Sequence, residues 1–347
     1  MKLGRFVVDG HVHSQRHAAG DQLRKKLSEN PGGSKLRYRD LCEIMPHMKA
    51  YDNSERLLFD MNCYEVDMCI LMASYGMTNE QNLALVEKYP GRFAALCISK
   101  ETYDRAEIGE IEWTMKEACR ELDSLLSTGK YVGIGEGFPA DPKVLYRKKR
   151  ISKIDRIDEM MQVMEVAQKH NVPVHYHTGF AMGYHLGIPE ALYPLWGHEL
   201  AANFPNVPII FDHGGMACWW WEHLVDQCLH VAASHDNVYL ETGLYWTELY
   251  YKALLDPNVG PEKLIWGTDW GASIPVHAQP GHKPATYAMQ LIKEGVVTHQ
   301  VDLMRWSLRQ LDRLDISQDD LNLILGGNAM RLYKLKFPLT RMFKPVE

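Results

Sequence analysis

Short apolar runs recur along the chain, and each is followed by a stretch whose apolar positions return with helical spacing. The runs lie at Arg5–Asp9, Val66–Met72, Phe93–Ile98, Tyr131–Glu136, Val172–His177, Val207–His213, Val238–Thr242 and Leu264–Asp269. Segments such as VDMCILM, FAALCI and VPIIFD do not alternate apolar with polar, so they suit strands covered on both faces in a parallel sheet. Helical patterns fall between the runs at 54–63, 79–89, 106–126, 155–170, 190–204, 217–233, 245–255 and 284–295. Eight β units alternating with eight α units predict an α/β fold, a (β/α)8 TIM barrel rather than an open sheet.

That alternation decides the domain count. A chain of 347 residues would ordinarily split in two, but barrels of about 250 residues or more fold as one unit, so a single domain over 1–347 is expected. Two segments exceed a minimal barrel. Residues 14–50 are far longer than the usual strand-to-helix connection of about 2–6 residues, which predicts an inserted lid or a subunit contact in a homo- or hetero-oligomer. The part from 300 to 347 adds C-terminal helices, one opening at Ser317 with Asp320 three residues on, a capping-box spacing.

Composition narrows the partners. With 38 Lys+Arg against 44 Asp+Glu the net charge is −6, which provides no diffuse basic field for nucleic acid or anionic membrane. No run approaches the ~18 apolar residues of a membrane span, and Phe6–Val8 runs straight into Asp9, unlike a signal peptide. A soluble cytoplasmic protein is expected. The seven cysteines lack ligand spacing and read as free thiols rather than a disulfide framework. The basic run Arg147–Arg150 reads as a solvated face.

Histidine changes the picture. Sixteen are present, and several fall at the C-terminal ends of predicted strands, the face on which barrels carry chemistry. The first strand ends VDGHVH, so the period of two puts His11 and His13 on one face. The fifth ends in VPVHYHTG with His175 and His177, the sixth in FDHGG with His213, and the eighth in LIWGTDWG with Asp269. One such histidine is commonly a satisfied core residue. Imidazoles and a carboxylate converging on one mouth require a cation to relieve repulsion and desolvation. Nitrogen and oxygen donors without cysteine suit one or two divalent ions, Zn2+, Mn2+ or Fe2+.

DGHVH at 9–13, PVHYHTG at 173–179, DHGG at 212–215, GTD at 267–269 and LGGNAMRLY at 325–333 together resemble the amidohydrolase superfamily, in particular its amidohydrolase-related (amidohydrolase 2) branch. The resemblance spans essentially the whole chain. It implies that His11, His13 and His177 are metal ligands, that Asp269 is both ligand and proton shuttle, and that His213 is a second-metal ligand or a catalytic hydrogen-bonding group. Two features depart from the branch pattern. His175 adds a second fifth-strand histidine, either a further ligand or a buried support. Glu136, in YVGIGEGFP, resembles the bridging carboxylate position of dinuclear members and the GEG glutamate of TatD-like deoxyribonucleases; otherwise it supports the first-strand histidines by hydrogen bonding.

Substrate signals are sparser. Arg16 and His17 follow the first-strand pair closely and could meet a substrate carboxylate, a planar guanidinium being suited to bidentate pairing. Trp270 is a substrate-binding candidate at the same face. Trp219–Trp221, Tyr245 and Trp246 lie there too, with packing as the alternative for the consecutive tryptophans. The expected function is a metal-dependent hydrolase acting through metal-activated water on a small, carboxylate-bearing molecule. Alternatives are a nonoxidative decarboxylase of an aromatic or related acid, a dinuclear iron or manganese oxygenase, and a scaffold subunit of a hetero-oligomer. The intact polar cluster argues against the last, since a scaffold has no need of so costly a site.

Overall fold

The computed structural model describes residues 5–18, 49–73, 78–145, 148–178, 193–216, 221–270 and 303–336, except the side chains of 15–18, 49–51 and 221–222. Parallel ladders join β1 (Val8–Val12), β4 (Met68–Leu71) and β5 (Phe93–Ala95), and a second set joins β6 (Val174–His177), β7 (Ile209–Asp212), β8 (Val238–Glu241) and β9 (Leu264–Ile265). Ile134 bridges the two sets, pairing with Cys97 on one side and Val174 on the other. On the far side, Gly10 N–H donates to the Trp266 carbonyl and His13 N–H to that of Trp270, which joins the last strand segment to the first. The hydrogen bonding thus runs around a closed ring, the expected barrel.

Side chains alternate between two apolar layers. Met68, Ile70 and Met72 fill the interior with Ala94, Leu96, Ile210 and Ile265, while Cys69, Leu71, Ala95, Phe211 and Leu240 face the surrounding helices. This double burial explains why the strand segments read as unbroken apolar runs.

Helices form where caps and stripes agree. Thr78 makes a complete capping box with Gln81 at the start of Asn79–Lys88. Met115–Ser127 buries Met115, Ala118, Leu122 and Leu126, one face at helical spacing, behind a Thr114 cap. The helical pattern predicted over 106–126 is in fact two helices, Lys100–Glu107 and Met115–Ser127. Gly109, at φ +77°, turns the chain between them. At the C-terminus, Ser317 caps Gln318–Asn322 by accepting from Asp320 N–H.

The predicted fourth strand is held differently from the others. Residues 131–136 form no regular ladder, yet Gly133 O, Gly135 N and Ile134 O keep strand-like bonds to Cys97 and His175. The chain beyond is pinned by Arg156, which is almost fully buried and donates to the carbonyls of Phe138 and Pro139 and to Glu159. Arg156→Met orphans those carbonyls and is expected to cost about 2–4 kcal/mol, read as a lowered denaturant midpoint. A change below about 0.5 kcal/mol would show that other groups hold this loop.

An antiparallel pair, β2 (Gln15–Ala18) with β3 (Lys49–Asp52), stands apart from the barrel ladders. Most of the predicted 14–50 insertion and the predicted helix at 284–295 lie outside the described residues. Among the described residues, no helix is long and apolar enough to cross a membrane. Cys69, Cys97 and Cys228 are buried free thiols.

Candidate metal centre

A bulge in the first strand aims the paired histidines. Asp9 pairs with Cys69 and Val12 with Leu71, so three steps on β1 match two on β4. Val8 therefore points into the barrel while Val12 packs on the outer layer, and His11 and His13 turn inward at the mouth. Two other site residues sit in left-handed backbone, His213 at φ +60° and Asp269 at φ +54°, a conformation that costs energy for a non-glycine residue and concentrates at functional positions.

The converging atoms are close. His11 Nε2 and His13 Nε2 are 3.3 Å apart. Asp269 Oδ1 lies 3.7 Å from the first and 3.4 Å from the second, and Glu136 approaches them at 3.8 and 3.5 Å. Glu136 Oε1 also lies 2.9 Å from His177 Nε2 and 3.5 Å from His213 Nε2. Ligand atoms about 2.1 Å from one tetrahedral ion sit about 3.4 Å from each other, so these spacings are those of a coordination shell. Two groupings share Glu136: His11, His13 and Glu136, and Glu136, His177 and His213. His177 falls in the second of these with His213, and His213 also groups with His11 and Asp269.

Beneath the mouth lies a second polar layer, of which sequence reasoning had named only His175. Asp212 Oδ1 and Glu241 Oε2 lie 3.5 and 3.3 Å from His11 Nδ1, and Glu241 also accepts the His213 and Gly243 N–H groups. Gly267 makes room for Glu241, since a Cβ there would collide with its carboxylate. Asp9 accepts from Thr268 N–H and Oγ1–H and from His11 N–H, tying the first strand to the last. His175 is fully buried, with Nδ1 against Asp212 and Nε2 against the Tyr333 hydroxyl. Gly135, at φ +141°, permits this because a Cβ there would strike the His175 side chain. The available signal for Asp212 and Glu241 was a carboxylate ending an otherwise apolar strand, IIFD and VYLE.

The electrostatics describe a cage seeking positive charge. Burial lowers the proton affinity of His213, but Glu136, Asp269 and Glu241 outweigh it and raise the pKa to about 9. His11 likewise rises well above the ordinary imidazole value despite burial, through Asp212, Glu136 and Glu241. Burial pushes the Glu136 carboxyl up, yet His177 and His11 hold it well below the usual range. Burial raises Asp9 to about 7 against its hydrogen bonds from Thr268 and His11. Protons gathered on crowded imidazoles stand where a cation would, and two Nε2 atoms at 3.3 Å repel as bare lone pairs. The Nδ1 atoms of His13 and His213 are buried without hydrogen-bond partners, and that of His11 has only the longer approaches of Asp212 and Glu241. The donor set therefore fits divalent metal.

The remaining predicted residues separate. Trp270, read as substrate-binding, is buried and gives its indole N–H to Asp60. Tyr245 is buried and donates to the Gly214 carbonyl, bracing the turn that carries His213. Arg16 and His17 pair with Tyr51 and Ala50 in the β2–β3 ladder, their side chains lying outside the described set, as do those of Trp219–Trp221. In the basic run, Lys148 and Lys149 are exposed, and Lys149 reaches Asp141 at 3.3 Å.

Comparison with known proteins identifies relatives of the chain. A family model described as amidohydrolase matches residues 70–335, a span that includes Glu136, His177, His213 and Asp269 and begins after His11 and His13. None of the curated proteins compared with the chain matches it. Similar solved structures include a 2,6-dihydroxybenzoate decarboxylase, 16% identical with a TM-score of 0.57 over 95% of this chain and 100% of that one. A 5-carboxyvanillate decarboxylase from Sphingomonas paucimobilis is 13% identical, with a TM-score of 0.55 over 95% and 99%. An uncharacterized TIM-barrel protein from Bordetella bronchiseptica is 17% identical, with a TM-score of 0.53 over 94% and 98%.

Proposed function

We propose, from the premise that the chain belongs to the amidohydrolase family, that it is a two-metal hydrolase of a small, carboxylate-bearing molecule. One observation carries this reading. Glu136 lies at the centre of the cluster, with Oε2 toward His13 and Oε1 toward His177 and His213 and, at 3.8 Å, toward His11, a position from which one carboxylate could serve two ions. His11, His13 and Asp269 would hold one ion with Glu136, and His177 and His213 the other; Zn2+, Mn2+ and Fe2+ all suit these donors. When bound, such a pair supplies Lewis acidity toward a substrate carbonyl and water acidified to near-neutral pKa.

The protein's own part is proton handling and orientation. Burial pushes the Asp269 carboxyl up, but the His13 hydrogen bond and the His213 and His11 charges bring it below its ordinary value. Asp269 therefore rests ionised at neutral pH, able to accept a proton as water attacks and to return it to the leaving group. Asp212 and Glu241 orient His11 from behind. The positions of Arg16 and His17, just beyond His13 in sequence, support a carboxylate on the substrate.

Nonoxidative decarboxylation is the second reading, supported by the near-full-length similarity to two decarboxylases. It needs one ion, with Glu136 accepting imidazole N–H instead of bridging. Elemental analysis of anaerobically purified protein, with a screen of small acids, esters and lactones with and without oxygen, separates the readings. Two ions per chain with oxygen-independent hydrolysis is the expected result. One ion with CO2 release overturns the hydrolase reading for decarboxylation, and oxygen-dependent turnover on iron or manganese overturns it for an oxygenase.

A further inference from the structure

The C-terminal motif LGGNAMRLY enters the barrel from the end opposite the mouth. Ala329, Leu332 and Tyr333 pack with Val8, Ile70, Ile210 and Ile265, closing the interior. From this plug the Tyr333 hydroxyl reaches His175 Nε2 at 2.7 Å. His175 Nδ1 lies 2.5 Å from Asp212 Oδ1, and the same oxygen lies 3.5 Å from His11 Nδ1. All four residues are buried. A polar column thus crosses an apolar interior and ends on a proposed metal ligand.

Partner chemistry fixes its protons. Burial and the nearby charges of Asp212 and Glu241 hold the Tyr333 phenol well above its ordinary value, so the hydroxyl keeps its proton and can donate. Asp212 closes the column as an acceptor, with Oδ1 2.5 Å from His175 Nδ1. His175 must therefore present Nδ1–H to Asp212 and a lone pair to the Tyr333 hydroxyl, because the reverse tautomer sets a lone pair against the carboxylate. Asp212 at 3.5 Å, together with Glu241 at 3.3 Å, then sets carboxylate oxygen against His11 Nδ1, which favours a proton there and leaves His11 Nε2 bare toward His13, Glu136 and Asp269.

We propose that Tyr333 is a positioning residue for His11, acting through His175 and Asp212 to fix the ring with Nε2 as its donor atom. The proposal rests on the metal-centre reading and extends it to the far end of the chain. Outer-shell partners of metal-binding histidines commonly contribute about 10–100-fold in affinity.

The test compares Zn2+ affinity, by chelator competition, in the full-length parent, Tyr333→Phe and Leu332→Ala. The last trims the same plug without touching the column. Tyr333→Phe is expected to weaken Zn2+ binding by about 10-fold or more, and Leu332→Ala by less than about twofold. Equal losses in the two variants, or no loss in Tyr333→Phe, overturn the proposal. Nitrogen-15 spectra of the parent as purified provide a readout independent of any variant's folding: His175 should be protonated on Nδ1 and bare on Nε2, and an Nε2–H tautomer overturns the column. A parent that binds no Zn2+, Mn2+ or Fe2+ sinks the metal-centre reading, while the His175 tautomer still judges the column itself.

Discussion

The His11→Ala, His13→Ala double variant is expected to purify folded but without metal, its turnover reduced by at least about 10³-fold. His11 and His13 account for two of the donor atoms that lie within a coordination shell of Asp269 and Glu136. Losing both leaves two carboxylates at one position, too few to hold an ion against water. The fold should survive because its apolar layers, from Met68 and Ile70 inside to Leu71 and Phe211 outside, do not pass through the site. Far-ultraviolet circular dichroism and metal content measured on the same sample give the answer. Full metal occupancy in the variant would show that the ions sit elsewhere.

Glu136→Gln is expected to lower the metal content from about two ions per chain to one and turnover by about 10²–10³-fold. An amide presents one acceptor oxygen and a donor nitrogen, so it cannot face the His13 side and the His177–His213 side with equal oxygens as the carboxylate does. The remaining ion should be the one held by His11, His13 and Asp269. A single ion in both the parent and the variant would remove the bridging role and return decarboxylation to first place.

The barrel was legible because its strands are covered on both faces, and apolar runs such as MCIL have no other common home. The paired histidines were legible because spacing by two survives local distortion. Their direction was not. Strict alternation sets Val8 and Val12 on the same face, whereas the structure separates them. Nor could the sequence partition the ligands, since grouping His177 with His213 depends on which strand ends meet across the mouth. Asp212 and Glu241 were hidden for a related reason: a carboxylate ending a strand looks the same whether it meets solvent or an imidazole. His175 stood between ligand and support until Tyr333, 158 positions away, supplied its second partner. Contacts over such separations leave no periodic trace.

The bulge in β1 bears on any attempt to transplant this centre. A designer who copied DGHVH into an idealised, bulge-free strand would preserve every donor and its spacing yet aim both imidazoles into the helical layer, because one residue of slip exchanges the two faces. The unit of inheritance here is the motif together with its irregular pairing to Met68–Leu71, and the surplus residue in the ladder carries as much of the site's information as the histidines it aims.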